Sequence, residues 1–119
     1  MANILLVDDS RTSRKILRNI LESAGHTIVD EATDGEQAIE KYIASKPDVI
    51  TLDITMPVMD GIEALKQIKL VDSDAKVIMV SASSQKDKLI EAVKYGAEDF
   101  IAKPFEPSQI ISILNQLVS

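Results

Sequence analysis

At 119 residues the chain fits one domain, near the commonest domain size, and can bury about two-thirds of the surface it exposes when unfolded. It contains no cysteine, which excludes a disulfide framework and a thiolate metal site, and no apolar stretch approaches the roughly 20 residues of a membrane-spanning helix. A net charge of −6 argues against nonspecific binding to nucleic acid, which relies on Lys and Arg to neutralise phosphates.

Met1-Ala2-Asn3 has no basic region and leads directly into an apolar run, so no signal peptide is evident and a soluble cytoplasmic protein is expected. That run, Ile4-Leu5-Leu6-Val7, reads as a first strand ending on Asp8-Asp9. Residues 10–24 place Ile16, Leu17, Ile20, Leu21 and Ala24 at helical spacing, and Gly25 is a natural stop. Arg11, Arg14, Lys15 and Arg18 on this helix read as its solvated face. His26 falls in the following turn and is expected on the surface. Thr27-Ile28-Val29, with polar neighbours, suits an edge strand.

Asp34 is a possible N-cap with Gln37 three residues on, opening a helix that carries Ala38, Ile39, Tyr42 and Ile43. Pro47 precedes a third strand, Val49-Ile50-Thr51-Leu52, which ends on Asp53. Pro57 and Gly61 punctuate the loop into a third helix with Ile62, Leu65 and Ile68. Val77-Ile78-Met79-Val80 then runs into Ser81. Ser84 can cap a fourth helix carrying Leu89, Ile90 and Val93 and closed by Gly96. Phe100-Ile101-Ala102 leads to Lys103-Pro104, and Pro107 opens the last helix.

The pattern is (βα)5. Continuous apolar strands suit a parallel sheet buried on both faces, and helices of ten to fifteen residues between them imply crossovers covering it. A closed barrel needs eight such units, so an open doubly wound α/β sheet is expected. Ligands of such sheets bind beyond the carboxyl ends of the strands. Three acids, a hydroxyl and an ammonium would meet there.

Three carboxylates close together require a cation or a proton, since two charges about 4 Å apart repel by roughly 4 kcal/mol at an effective dielectric of 20. Hard oxygen ligands without His or Cys point to Mg²⁺. Asp53 is the candidate nucleophile, because a carboxylate can attack phosphorus to form an acyl phosphate. Lys103 would supply a second cation and Ser81 a hydroxyl donor. Each residue also has a plainer reading: helix capping for Asp8-Asp9, a turn or cap for Asp53 and Ser81, a counter-ion for Lys103. Their combination favours phosphoryl chemistry. No Gly-rich loop follows the first strand, and one histidine without cysteine offers neither a Ser/His/Asp nor a zinc site.

These blocks carry a family resemblance. Val7-Asp8-Asp9, Leu52-Asp53-Ile54-Thr55-Met56-Pro57, Met59-Asp60-Gly61, Val80-Ser81-Ala82 and Lys103-Pro104-Phe105 resemble the receiver domain of two-component response regulators, over the whole length. Residues 1–119 are expected to form one receiver with no output domain, an organisation most similar to free-standing chemotaxis regulators of the CheY type. The resemblance implies a flavodoxin-like sheet of order 2-1-3-4-5 and phosphotransfer to Asp53 from the phosphohistidine of a sensor histidine kinase. It implies Mg²⁺ on Asp9, Asp53 and the Thr55 backbone carbonyl, with Asp8 acting mainly through water. It also implies a cis Lys103-Pro104 peptide.

In such a switch Ser81 and the aromatic Phe100 would move together on phosphorylation, altering the face of the fourth helix, fifth strand and fifth helix. That face would bind a downstream protein, such as a flagellar motor switch, and a phosphatase is another expected partner. Thr55 and Ser83 hold positions that tune hydrolysis of the acyl phosphate. Catalysis is expected to extend only to the chain's own phosphorylation and dephosphorylation. Phe100 stands where the best-known chemotaxis regulators have tyrosine, and Ser81 where threonine is frequent. The last helix carries Ile110, Ile111, Ile113, Leu114, Leu117 and Val118, which fits a broad core face or a partner surface. A phosphorelay intermediate and an aspartate-nucleophile phosphatase are the alternative functions. The phosphatase reading is weakened because Ile54-Thr55 follows Asp53 in place of a second, general-acid aspartate.

Overall fold

The computed structural model describes residues 1–82 and 84–118. Strands β1 (Asn3–Val7), β2 (Thr27–Ala32), β3 (Val49–Asp53), β4 (Val77–Ser81) and β5 (Asp99–Ala102) alternate with helices α1 (Arg11–Ser23), α2 (Gly35–Ser45), α3 (Gly61–Val71), α4 (Lys86–Lys94) and α5 (Pro107–Val118). The strands form one parallel sheet of order β2-β1-β3-β4-β5. This is the doubly wound, flavodoxin-like architecture expected from the sequence. No helix among the described residues is long and apolar enough to cross a membrane.

Alternate side chains of the central strands enter two separate cores. Leu5, Val7, Ile50, Leu52, Val77 and Met79 pack beneath α2, α3 and part of α4. Ile4, Leu6, Val49, Ile78, Val80 and Ile101 pack beneath α1 and α5. The residues of β3 and β4 are buried throughout. Each large aliphatic side chain so placed contributes about 1.5–3 kcal/mol of burial free energy. β5 differs from the expectation of burial on both faces. It pairs with β4 alone, and of its four residues Ile101 is buried, whereas Phe100 and Ala102 are exposed.

The helix faces are narrower than their spacing predicts. Leu17 and Leu21 are buried on α1 while Ile16 is exposed; Ala38 and Tyr42 are buried on α2 while Ile43 is exposed. On α4 the buried residue is Ala92, with Ile90 and Val93 60% and 67% exposed. α4 packs against α3 and β4, and a groove separates it from the edge strand β5. On α5, Ile110 and Leu114 are buried, and Ile113, Leu117 and Val118 pack partly against the same core. The broad-core reading therefore accounts for most of that face.

Asp34 caps α2, its carboxylate accepting from Gln37 N–H at 2.9 Å, and Gln37 Oε1 accepts from Thr33 N–H at 3.1 Å. Gly25 and Gly96 close α1 and α4 with φ of +92° and +96°. α4, however, starts with Gln85 at its N-cap and no side-chain cap bond, so Ser84 does not cap it.

His26 is buried and not on the surface. Its Nδ1 accepts a hydrogen bond from Ala2 N–H at 3.0 Å, while Nε2 is buried without a hydrogen-bond partner. An Nδ1 that accepts puts the proton on Nε2, the neutral form. Burial, reinforced by the N-terminal ammonium, pushes the pKa below the ordinary histidine value. The unfolded chain therefore takes up a proton first as pH falls, and stability is lost through the unfolded pKa near 6.5. Urea midpoints between about pH 7.5 and pH 5 are expected to fall less steeply in His26→Gln than in the wild type. Parallel slopes would show that His26 is not kept neutral by the fold.

Candidate functional site

The parallel register aligns the carboxyl ends of the strands: Val7 faces Leu52, Asp53 faces Val80, and Ser81 faces Ala102. Asp8, Asp9, Asp53, Ser81 and Lys103 are consequently gathered at one sheet edge. Carboxylate oxygens of Asp8, Asp9 and Asp53 all lie within 4.8 Å of one another. Lys103 Nζ lies 3.1 Å from Asp8 Oδ2 and 3.5 Å from Asp53 Oδ2. Asp8, Asp53 and Ser81 are buried, whereas Asp9 is exposed, so the cluster opens to solvent on the β1 side.

The plainer capping roles go to other residues. Ser10 caps α1, its Oγ accepting from Ser13 N–H at 3.2 Å. Asp60 caps α3 through Glu63 N–H at 2.9 Å. Asp8 uses Oδ1 to accept from Ser10 N–H at 2.8 Å and leaves Oδ2 to Lys103. Asp53 and Ser81 are the last residues of buried strands. The Lys103 N–H donates to the Ser81 carbonyl at 2.8 Å, and the Lys103-Pro104 peptide is cis, as the resemblance implied.

Burial, then the neighbouring Asp8 charge, pushes the Asp53 pKa up to about 6, with Lys103 opposing. Burial disfavours the Lys103 cation, but its hydrogen bond to Asp8 and the charge of Asp53 outweigh that and raise its pKa. One ammonium against three carboxylates leaves the cluster short of positive charge. An all-carboxylate donor set of this size fits a hard divalent cation such as Mg²⁺, which binds through a few carboxylates and retains water.

The loop after β3 is pressed close to the site. Gly61, the first residue of α3, donates its N–H to the Ile54 carbonyl at 2.8 Å. A Cβ there would stand 2.1 Å from the Asp53 carbonyl oxygen. Backbone contact at this point needs glycine.

Thr55 lies two residues beyond Asp53, and its Oγ1 accepts from Gln85 Nε2 at 2.6 Å. Gln85 Oε1 in turn accepts from Ala82 N–H at 2.7 Å. An amide N–H only donates, which fixes the orientation of the Gln85 carboxamide. Gln85 thus joins the loops after β3 and β4, a link invisible in sequence because Thr55 lies 30 positions from Gln85 and all three residues are chemically ordinary. Ser83 lies outside the described residues.

Phe100 is on β5, half-exposed, and lines a groove of about 380 Å³ with Met79, Leu89, Ile90 and Val93. This apolar groove lies between α4 and β5. The acidic cluster is instead an open feature of the sheet edge.

A five-stranded parallel sheet with this acid–lysine cluster at its carboxyl edge defines a doubly wound α/β protein whose ligand site lies beyond the strand ends. Residues 4–115 match the family model for the response regulator receiver domain, and the chain belongs to that family. Members are signalling switches and not metabolic enzymes; they bind Mg²⁺ at an acidic pocket and take phosphoryl groups from histidine kinases. Among its relatives, the chemotaxis protein CheY of Thermotoga maritima is 48% identical over 114 residues, covering 96% of this chain and 95% of the relative. The CheY of Bacillus subtilis is 46% identical over 116 residues, covering 98% and 97%. A crystal structure of the CheX–CheY–BeF3–Mg²⁺ complex from Borrelia burgdorferi superposes with a TM-score of 0.91 at 40% identity, covering 98% of this chain and 90% of that one.

Proposed function

We propose that this chain is a phosphorylation-activated switch of chemotactic signalling, with Asp53 as the phosphoryl acceptor. The observation that carries the reading is the position of Asp53: buried at a strand end, beside two further carboxylates, with Lys103 Nζ 3.5 Å from its oxygen. An Asp53 oxygen attacks the phosphorus of a kinase phosphohistidine. The O–P bond forms as the P–N bond breaks, and the bonding pair leaves on the imidazole nitrogen.

Lys103 balances charge on the phosphoryl oxygens, and the Ser81 hydroxyl donates to one of them. Asp8, Asp9 and Asp53, with the Thr55 carbonyl, would hold Mg²⁺, which supplies divalent charge for the same oxygens. Thr55 and Ser83 hold the sequence positions that tune hydrolysis of the acyl phosphate.

Binding of the phosphoryl group draws Ser81 and its loop toward Asp53, and Phe100 turns inward, biasing a two-state equilibrium. The readout is the face of α4, β5 and α5, where Ile90, Val93 and Phe100 are exposed along the apolar groove. A downstream protein target docks there. The chemotactic assignment, and the treatment of residues 1–119 as one receiver, are supported by near-complete coverage of the two CheY relatives.

The test is intact-mass analysis after exposure to acetyl phosphate, and to phosphorylated histidine kinases of the source organism. One phosphoryl group is expected on the wild type with Mg²⁺, and none in EDTA or in Asp53→Ala. Equal labelling of wild type and Asp53→Ala would remove Asp53 from its role.

A further inference from the structure

Arg14 belongs to the basic stretch of α1 whose plain reading is a solvated helix face. Its side chain is only 15% exposed. One guanidinium nitrogen, Nη1, donates to the Asp8 backbone carbonyl at 2.8 Å, and Nε donates to Glu31 Oε1 on β2 at 2.8 Å. Arg18 binds the other Glu31 oxygen, so two cations hold this carboxylate. Burial alone would raise the Glu31 pKa, but the hydrogen bonds from Arg14 and Arg18 outweigh it and lower the value. Glu31 is therefore a firmly ionised anchor.

The carbonyl that Arg14 grips belongs to the Asp8-Asp9 peptide. A peptide unit is planar, so fixing its oxygen fixes the plane from which the Asp9 side chain departs. The same turn is held by Asp8 N–H to the Ala32 carbonyl at 3.1 Å and by Ser10 N–H to Asp8 Oδ1 at 2.8 Å. Asp8 is thus secured through its amide, carboxylate and carbonyl, whereas Asp9 presents an exposed carboxylate to the cluster. The carbonyl anchor comes from outside the turn and leads to β2.

We propose that Arg14, braced by Glu31, is a positioning residue for the divalent-cation site, setting the Asp8-Asp9 peptide plane and with it the aim of the Asp9 carboxylate. The inference rests on the reading of Asp8, Asp9 and Asp53 as the Mg²⁺ site. Charge and geometry act here with opposite signs. Arg14 is a cation bonded to the Asp8 backbone at the edge of the site, so on charge alone its removal tightens Mg²⁺ binding. Loss of a residue that orients a ligand instead weakens metal binding by about tenfold or more. Arg14→Lys separates the two effects: the charge stays, but a single ammonium cannot reproduce the guanidinium fork that spans carbonyl and carboxylate.

The experiment is isothermal titration of Mg²⁺ into the full chain near neutral pH, well below the melting temperature, with circular dichroism as the check on folding. Arg14→Ala is expected to raise the Mg²⁺ Kd about tenfold, and Arg14→Lys about threefold. A role confined to holding the fold together would lower Tm and leave Kd unchanged. An unchanged or tighter Kd in Arg14→Ala, with the wild type binding Mg²⁺ and Asp53→Ala impaired, overturns the positioning role alone. A wild type that takes up no Mg²⁺ overturns the site assignment and the inference together. Should Arg14→Ala fail to fold, an unchanged Kd in Arg14→Lys overturns the proposal and a raised one supports it.

Discussion

Asp53→Asn is expected to stabilise the Mg²⁺-free protein by about 2–3 kcal/mol near pH 8, while abolishing phosphoryl labelling. The stabilisation follows from the pKa of about 6 that burial and Asp8 impose on Asp53, against an ordinary value of 3.8. Between those values the folded chain holds the proton more tightly than the unfolded chain. Stability then declines as pH rises from about 4 to about 6, and the loss is complete above that range. An amide of the same shape carries no charge and escapes the loss.

The advantage of the variant should therefore vanish below about pH 4. Saturating Mg²⁺ should erase it too, because a ligand at about 100 times its Kd stabilises the binding-competent wild type by about 2.7 kcal/mol. Urea unfolding across pH, with and without Mg²⁺, measures all three features. A less stable Asp53→Asn in EDTA at pH 8 would mean that the Lys103 pair outweighs burial and repulsion, and the charge account of the site would be wrong.

The second large effect is steric. Gly61→Ala would place a methyl 2.1 Å from the Asp53 carbonyl oxygen, 2.9 Å from its carbon and 3.0 Å from Ile54 Cα. These are backbone atoms at the end of a buried strand, with no flexible side chain to yield. Either α3 shifts as a body or the Asp53 peptide moves, and a cost of about 3 kcal/mol is expected. Glu63→Ala, two residues along the same helix and exposed, should stay within about 0.5 kcal/mol. Because relaxation displaces the residue that carries the acceptor, phosphoryl labelling of Gly61→Ala should also slow. Chemical denaturation of the two variants decides it: equal midpoints would contradict the close approach.

Much of this was legible without coordinates. Strands β1, β3 and β4 announce themselves because both parities of each are apolar, a pattern that only a doubly covered sheet rewards. With the strands parallel and the helices between them, Asp8, Asp9, Asp53 and Ser81 must leave the sheet at the same edge. Lys103 follows from the same logic. Capping was legible at Asp34, where Gln37 completes the signal, but not at Ser10 or Asp60, whose targets also lie three residues on.

The failures share a cause. Spacing reveals which side chains share a helix face, but not where that face runs past its partner, so Ile90 and Val93 read as core and are exposed. Phe100 reads as buried until β5 proves to be an edge. His26 reads as a turn residue because its partner, Ala2, is 24 positions away.

The alternation of elements, the sheet's two buried faces and the set of groups delivered to one end of it can be read from the residues, since these depend on local periodicity and chain direction. Which groups hold that set in place emerges only when the chain is folded. Arg14 to the Asp8 carbonyl and Glu31, Gln85 between Thr55 and Ala82, and Gly61 against the Asp53 backbone are all contacts with main chain or across loops. A backbone carbonyl looks the same at every position, so no residue pattern marks the one that will be gripped.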